Sequence, residues 1–248
     1  MPRGNLEAFE PRPLIFLKAK ELIDSNLIFS CLLLLRRQKV DLNYLIDYNP
    51  IKFLSQINDL VKESLDKNPE LLSLLISSLE PGDTTISKYP SHRPTGADVK
   101  YRENQLPQID FYVGSNKVNT ICTAVRDSLL IFLNGIQGPR FLTALNPALC
   151  TYAKQNPPLL VAALSLIRGE SQESSQQPPI VPIPGISKIP TQQLSSSKVQ
   201  NGIKYLAFLA DGSALFEAAL GCCDFEMART VAGQCQMDPK AYLPLLKV

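Results

Sequence analysis

The stretch that decides the fold is 204–246, KYLAFLADGSALFEAALGCCDFEMARTVAGQCQMDPKAYLPLL. It divides into short apolar segments with almost no chain between them, and Asp211, Asp224 and Asp238 stand directly before three of them. A short carboxylate at this position accepts a hydrogen bond from an unpaired backbone N–H and favours the positive end of a helix. Pro239 fits the first position of a helix, where a missing N–H costs nothing. The stretch therefore predicts consecutive short helices.

Two of these predicted helices carry stripes of small side chains at helical spacing. The stripes are Leu215, Ala218, Ala219 and Cys222 in one helix, and Phe225, Ala228, Ala232 and Cys235 in the next. Small residues let neighbouring helices approach closely, as in stacked helical hairpins of roughly 30–45 residues. The expected fold is all-α, a helical-repeat superhelix (an α-solenoid) of tetratricopeptide-like hairpins.

The N-terminal third shows the same helical pattern. Residues 27–37 predict a helix that is apolar nearly all round, with Leu27, Cys31, Leu34 and Leu35 on one side. Such a helix must be covered on several sides, which places it in the middle of a layered stack. Asn49-Pro50 and Asn68-Pro69 each combine a capping residue with a proline and predict two further helix starts.

Two segments rich in proline interrupt the helical pattern. Their glycine, serine and glutamine content is typical of chain that cannot bury a core. The predicted division is a first helical block at 1–80, a flexible connector at 81–114, a second block at 115–168, a Ser/Gln/Pro-rich connector at 169–197 and a third block at 198–248.

Composition narrows the class of protein. The 25 basic and 23 acidic residues give a net charge of +2, which does not predict nucleic-acid binding. Tryptophan is absent and aromatic residues make up 7%, which disfavours a platform for stacking single-stranded bases. The longest apolar run, 27–35, is far shorter than the roughly 20 residues of a membrane span. No signal peptide is visible, so we expect a soluble intracellular protein in the cytoplasm, with the nucleus as a second location.

The cysteines predict neither a disulfide framework nor a metal site. No two of the six form a C-x-x-C pair, so we expect reduced thiols, mostly in the core: Cys31, Cys122, Cys150, Cys222, Cys223 and Cys235. With His92 as the single histidine, the usual zinc ligand spacing cannot be assembled.

No catalytic constellation is evident. His92 lies in a Pro-rich segment, where we expect a solvated side chain without the rigid partners that a catalytic base needs. Glu217, Asp224 and Glu226 are explained by helix caps and solvated faces. Arg36-Arg37-Gln38-Lys39 could contact a phosphate backbone, although cations at the end of a helix commonly complement its dipole. We predict no catalytic, cofactor-binding or metal-binding residues and no enzyme activity.

A family resemblance runs along the chain. Leu220-Gly221 through Asp224-Phe225, followed by 238–245 (DPKAYLPL), resembles the LG-x-YDF and DP-(K/R)-E-YLPFL segments of the largest subunit of the Elongator complex. Residues 1–7 (MPRGNLE) resemble the segment where that family enters its helical region. Asp41-Leu42-Asn43 and 47–50 (DYNP) resemble its next landmark, and 121–126 (ICTAVR) is similar to another. The chain departs from the pattern at Ala241, Leu245 and Cys222-Cys223.

The resemblance implies a role and partners. It implies a non-catalytic scaffold segment at the start of the solenoid of a complex that modifies the wobble uridine of transfer RNAs with a carboxymethyl-type group at C5. The cofactors belong in that family to a separate radical-SAM and acetyltransferase subunit, so none is expected here. The implied partners are that subunit and a propeller subunit. The resemblance further implies a homodimer of the full-length protein through a C-terminal region absent here, and indirect or weak contact with tRNA. The alternative is an unrelated α-solenoid adaptor of the vesicle-coat or transport type.

Overall fold

A computed structural model describes residues 11–93, 111–135, 139–169 and 196–246 of the chain, and within these ranges it contains helices and no strand. The predicted all-α solenoid class is therefore confirmed. The α-helices, in chain order, are α1 Arg12–Asp24, α2 Ile28–Arg37, α3 Asn43–Tyr48, α4 Pro50–Ser55, α5 Ile57–Lys67, α6 Pro69–Ser77, α7 Thr84–Ser87, α8 Asn116–Gly135, α9 Pro139–Lys154, α10 Leu160–Arg168, α11 Ser196–Leu209, α12 Gly212–Gly221, α13 Phe225–Gln234 and α14 Pro239–Tyr242. Two 3₁₀ turns cover Pro90–His92 and Leu243–Leu246. The helices form two compact units, Met1–Leu129 and Leu130–Val248.

The predicted carboxylate caps start the last three helices. Asp211 accepts a hydrogen bond from the backbone N–H of Ala214 at 3.0 Å, and Asp224 accepts one from Met227 at 2.9 Å. Asp238 accepts one from Lys240 at 2.9 Å. Each bond satisfies one of the donors that a helix leaves unpaired at its first turn, so these predictions are confirmed.

The two Asn-Pro starts behave differently from each other. Asn49 accepts a hydrogen bond from the N–H of Lys52 at 3.0 Å and caps α4 as predicted. Asn68 makes no such bond, yet α6 still begins at Pro69. The fixed φ of proline at the first helical position favours this start without a side-chain cap.

The second unit packs around small side chains. Gly212 shows how close two helices come, because a Cβ added to it would lie 3.0 Å from the Cβ of Cys235 at the end of α13. The buried residues of this core are Leu145, Leu149, Tyr152, Leu160, Ala163, Leu164, Ile167, Ile203, Leu206, Leu215, Phe216, Ala219, Met227, Ala228, Val231 and Ala232. The small-residue seam between α12 and α13 is thus present.

The predicted stripe on α13 is wrong at one end. Phe225 is 47% exposed, because it occupies the first turn, and the buried face consists of Met227, Ala228, Val231 and Ala232. Cys235 is only partly buried. Periodicity located the helix, but the position of its neighbours decided which side of it is covered.

The first unit packs around α2, which contacts α1, α3 and α5, as its apolar sequence requires. The predicted face of α2 is wrong at Leu27, which precedes the helix and is 51% exposed. Its buried residues are Ile28, Phe29, Cys31, Leu32 and Leu35.

The segment predicted as the first connector is folded where the structure describes it. Asp83 caps α7 by accepting a hydrogen bond from the N–H of Thr85 at 2.8 Å. Thr84 and Thr85 are buried, and Phe111 is buried as well. This part of the predicted connector therefore packs into the fold, although prolines surround it. Residues 94–110 and 170–195, which hold half of the first predicted connector and most of the second, lie outside the described residues.

Candidate functional site

The segment 41–50, which carries one of the family landmarks, lies at a buried polar network in the first unit. Every residue of α3, from Asn43 to Tyr48, is buried. Asn43 and Asp47 lie one turn apart on this helix, and both side chains point into the interior. Burying such groups costs free energy unless each is paired, so their partners define the site.

Asp47 forms an ion pair with Lys117 at the start of α8. The Oδ1 atom of Asp47 lies 2.7 Å from Nζ of Lys117, and neither side chain has any exposed surface. Nζ of Lys117 also donates a hydrogen bond to the carbonyl oxygen of Gly82 at 2.8 Å. The pair thus connects three stretches of chain that are far apart in sequence.

The remaining acceptor positions of Asp47 are filled as well. Its Oδ2 atom accepts hydrogen bonds from the backbone N–H of Thr84 at 2.9 Å and from the Thr84 hydroxyl at 2.7 Å. The hydroxyl of Tyr112 donates to Oδ1 at 3.3 Å. A buried ion pair is tolerated when such additional bonds satisfy its free lone pairs.

Burial shifts both groups toward their neutral forms. Desolvation raises the pKa of Asp47, and the charge of Lys117 opposes that rise. Desolvation likewise lowers the pKa of Lys117, against the attraction of Asp47. A carboxylate and an amine with shifted pKa values could exchange protons in an enzyme. Here neither side chain is exposed, so the described geometry gives a substrate no access to them.

A second polar cluster continues from the first. The backbone N–H and the side-chain Nδ2 of Asn43 both donate to Oδ1 of Asp41 at 2.9 Å. Nδ2 of Asn43 also donates to the carbonyl of Ser78 at 2.7 Å, and its Oδ1 accepts from the N–H of Glu80 at 3.0 Å. Asn43 therefore ties the end of α6 to the start of α3.

Lys88 lies at the surface and pairs with two carboxylates at the edge of this cluster. Its Nζ atom bonds Oδ2 of Asp41 and lies 2.8 Å from Oε2 of Glu80. These hydrogen bonds raise the pKa of Lys88. Burial alone would raise the pKa of Asp41, but the hydrogen bonds from Lys88 and Asn43 outweigh it and hold that pKa below its ordinary value.

An aromatic cluster lies beside the polar one and includes His92, which was expected to be solvated. That expectation is wrong. The His92 ring stacks on Phe16, with centroids 4.0 Å apart and planes at 16°. Tyr89 packs on Phe16 at 5.0 Å and edge-on to Tyr44 at 5.8 Å. The Tyr44 hydroxyl donates to the backbone carbonyl of His92 at 3.1 Å, so the histidine serves packing in this conformation.

The other residues considered for chemistry lie at helix ends or on exposed helix faces. Arg36 and Arg37 lie in the last turn of α2, where they complement its C-terminal end. Glu217 is exposed on α12, and Asp224 caps α13 and lies 3.4 Å from Nε of Arg168.

The six cysteines, all within the described ranges, are reduced thiols. Cys31, Cys122 and Cys150 are buried as expected, whereas Cys223 is exposed and Cys222 and Cys235 are intermediate. Burial raises the pKa of Cys31 to about 12, which keeps this thiol protonated and unreactive. Within the described ranges, no three His, Cys, Asp or Glu side chains come together as a metal ion would require.

The Asp47–Lys117 pair was not predicted from the sequence. The two residues are separated in sequence by the whole first predicted connector, 81–114. A usable signal was present, because Lys117 lies one turn before the buried Ile121 and two before Val125, on the apolar face of α8. A lysine on such a face requires a buried anion.

No described helix is both long and apolar enough to cross a membrane.

Comparison with known proteins agrees with the landmarks. The family model described as ELP1 alpha-solenoid matches residues 12–248. Putative elongator complex protein 1 of Xenopus laevis is 28% identical over 246 residues, which cover 99% of this chain and 18% of the relative. Elongator complex protein 1 of Schizosaccharomyces pombe is 28% identical over 246 residues, covering 99% of this chain and 16% of the relative. The Saccharomyces cerevisiae protein is 27% identical over 255 residues, with 99% and 17% covered. The chain thus spans less than a fifth of the length of these relatives.

Proposed function

Because the chain belongs to the ELP1 alpha-solenoid family, we propose that it is a non-catalytic scaffold segment of the Elongator complex. The match of the family model to residues 12–248 carries this proposal. The same match disfavours the alternative, an unrelated α-solenoid adaptor of the vesicle-coat or transport type.

The geometry supports a scaffold because its polar groups serve the fold. The side chains of Asp47, Lys117 and Asn43 form their hydrogen bonds and ion pairs with neighbouring segments of the same chain. Asp211, Asp224 and Asp238 are helix caps. These carboxylate, amide and amine groups stabilise the short helices within each unit, and helical-repeat proteins use such helices to present extended surfaces to other proteins.

The partners we propose are the other subunits of the complex. They are the catalytic subunit, which carries the radical-SAM and acetyltransferase chemistry, and the propeller subunit. In this proposal the assembled complex modifies the wobble uridine of tRNA, in the cytoplasm and also in the nucleus. This segment contacts tRNA indirectly or weakly, and the full-length protein dimerises through another region.

The experiment is retention of separately purified subunits on the immobilised chain. We expect the catalytic or the propeller subunit of the same organism to be retained. The control is a helical-repeat protein of another family, matched in length and net charge, which should retain neither. Equal retention by the control, or no retention of any Elongator subunit, would contradict the scaffold proposal.

A further inference from the structure

The carboxylate of Asp47 lies between two segments that dock onto α3 from different parts of the sequence. One is residues 80–93, which we call the clasp segment and which contains α7 and the Pro90–His92 turn. The other is residues 112–117, which lead into α8. The clasp segment binds Oδ2 through Thr84, and residues 112–117 bind Oδ1 through Tyr112 and Lys117.

The contacts made at Oδ1 and those made at Oδ2 depend on each other, because neither Asp47 nor Lys117 is exposed to water. If Lys117 leaves, Asp47 stays as an uncompensated charge that no solvent can reach. The carboxylate then either takes up a proton or regains hydration when a neighbouring segment lifts away. The clasp segment is such a neighbour, since Thr84 bonds Asp47 directly and the carbonyl of Gly82 accepts from Lys117.

We propose that the Asp47–Lys117 pair couples the docking of the clasp segment to the docking of the first turn of α8, so that the two attachments form and release together. Release of the clasp segment uncovers Phe16 and Tyr44, which are 4% and 1% exposed beneath Tyr89 and His92. A change that displaces residues 112–117 therefore controls access to an aromatic surface on α1 and α3. This coupling is independent of the proposed scaffold role.

The competing account is that the clasp segment is held by its own contacts. Tyr89 and His92 pack on Phe16, and Lys88 bridges Asp41 and Glu80. On that account, loss of Lys117 would loosen only the start of α8, whereas loss of Lys88 would loosen the clasp segment.

Amide hydrogen exchange measured by mass spectrometry separates the two accounts. We compare Lys117→Met with Lys88→Met, the same substitution at a lysine within the clasp segment. Coupling predicts that Lys117→Met accelerates exchange across 84–92 by about tenfold or more, together with 112–121. Lys88→Met should change exchange across 84–92 by less than about threefold. Faster exchange confined to 112–121 in Lys117→Met, or equal loosening by Lys88→Met, would overturn the proposal.

A paired variant keeps the test decisive if Lys117→Met opens the whole first unit. In Asp47→Asn with Lys117→Met, both charges are gone while the amide oxygen can still accept from Thr84. Exchange across 84–92 should then return toward that of the unmodified chain, because no buried charge is left unpaired. If the paired variant exchanges as fast as Lys117→Met alone, the charge is not what couples the segments and the proposal is wrong.

Discussion

Ser64 shows that a buried polar residue can lack the compensation that Asp47 and Lys117 have. It lies on α5 with no exposed surface, and among the described residues its hydroxyl has no hydrogen-bond partner. Replacing Ser64 by alanine removes an unsatisfied group, so we expect the free energy of unfolding to stay equal or to rise by up to about 1 kcal/mol.

Urea unfolding followed by circular dichroism measures this effect. Ser30→Ala, on the exposed side of α2, is the matched control and should change stability by no more than about 0.5 kcal/mol. A loss of more than about 1 kcal/mol in Ser64→Ala would show that the hydroxyl has a stabilising partner.

Asp41 gives the chain a pH dependence of known sign. Because its pKa is lower in the folded state, its stabilisation is complete above the ordinary carboxyl pKa of about 3.9 and is lost as the pH falls through the lower, folded value. Asp41→Asn should therefore cost about 0.5 kcal/mol at pH 7, a magnitude set by the partly exposed Lys88. The difference from the unmodified chain should shrink as the pH falls below about 3.9.

Denaturant unfolding at a series of pH values tests this prediction. In the Lys88→Met background, Asp41→Asn should cost less, because the ion pair has already been removed. A cost of Asp41→Asn that does not vary between pH 7 and pH 3 would contradict the assigned direction of the pKa.

At the scale of helices, overpacking should be costly where the second unit depends on small residues. Ala219 on α12 has no exposed surface and lies in the core that also holds Ala228 and Ala232 of α13. Ala219→Leu adds volume that this seam cannot accept, so we expect a loss of about 1–3 kcal/mol in the free energy of unfolding.

The control for Ala219→Leu lies two residues earlier on the same helix. Glu217 is exposed, and Glu217→Ala should change stability by at most about 0.5 kcal/mol. Thermal unfolding of both variants decides the matter. Equal melting temperatures would show that α12 and α13 can separate enough to admit a leucine.

The helices themselves could be predicted from local chemistry, whereas their neighbours could not. Asp211, Asp224 and Asp238 act within three residues, so the sequence alone located their helices. Phe225 was assigned to the wrong side because its exposure depends on which helices pack beside α13. Periodicity reports the existence of a face but not which element covers it.

The candidate site could be predicted even less completely, since its bonds join distant residues. The 41–50 segment was recognised by its resemblance to a family, which gives no geometry. In the sequence, Asp47 and Lys117 stand on either side of the clasp segment, and Phe16 and His92 are separated by most of the first unit. No local pattern encodes such pairings. Most of the six cysteines were expected in the core, because an unpaired thiol behaves as a small hydrophobic group. Cys31, Cys122 and Cys150 are buried, whereas the three cysteines of the last helices are intermediate or exposed.

At the scale of the whole molecule, the scaffold proposal predicts how variants of this segment act in the complete complex. Ala219→Leu, placed in the full-length protein in cells, should lower wobble-uridine modification because a loosened helical stack assembles poorly. The catalytic subunit should keep its cofactors, since the variant lies in another chain. Glu217→Ala should leave both modification and assembly unchanged. Mass spectrometry of tRNA nucleosides measures the modification, and purification through a tagged catalytic subunit measures assembly.

The two variants also distinguish a scaffold from an enzyme. A scaffold fails through stability, so modification should fall in proportion to the amount of complex recovered with Ala219→Leu. An enzyme fails through its chemistry, and in that case an exposed carboxylate such as Glu217 matters more than a buried methyl group. Loss of modification in a Glu217→Ala protein that melts and assembles normally would show that this chain takes part in the reaction. The scaffold proposal requires that wobble-uridine modification is lost only in Ala219→Leu. It also requires that modification returns when higher expression restores assembly.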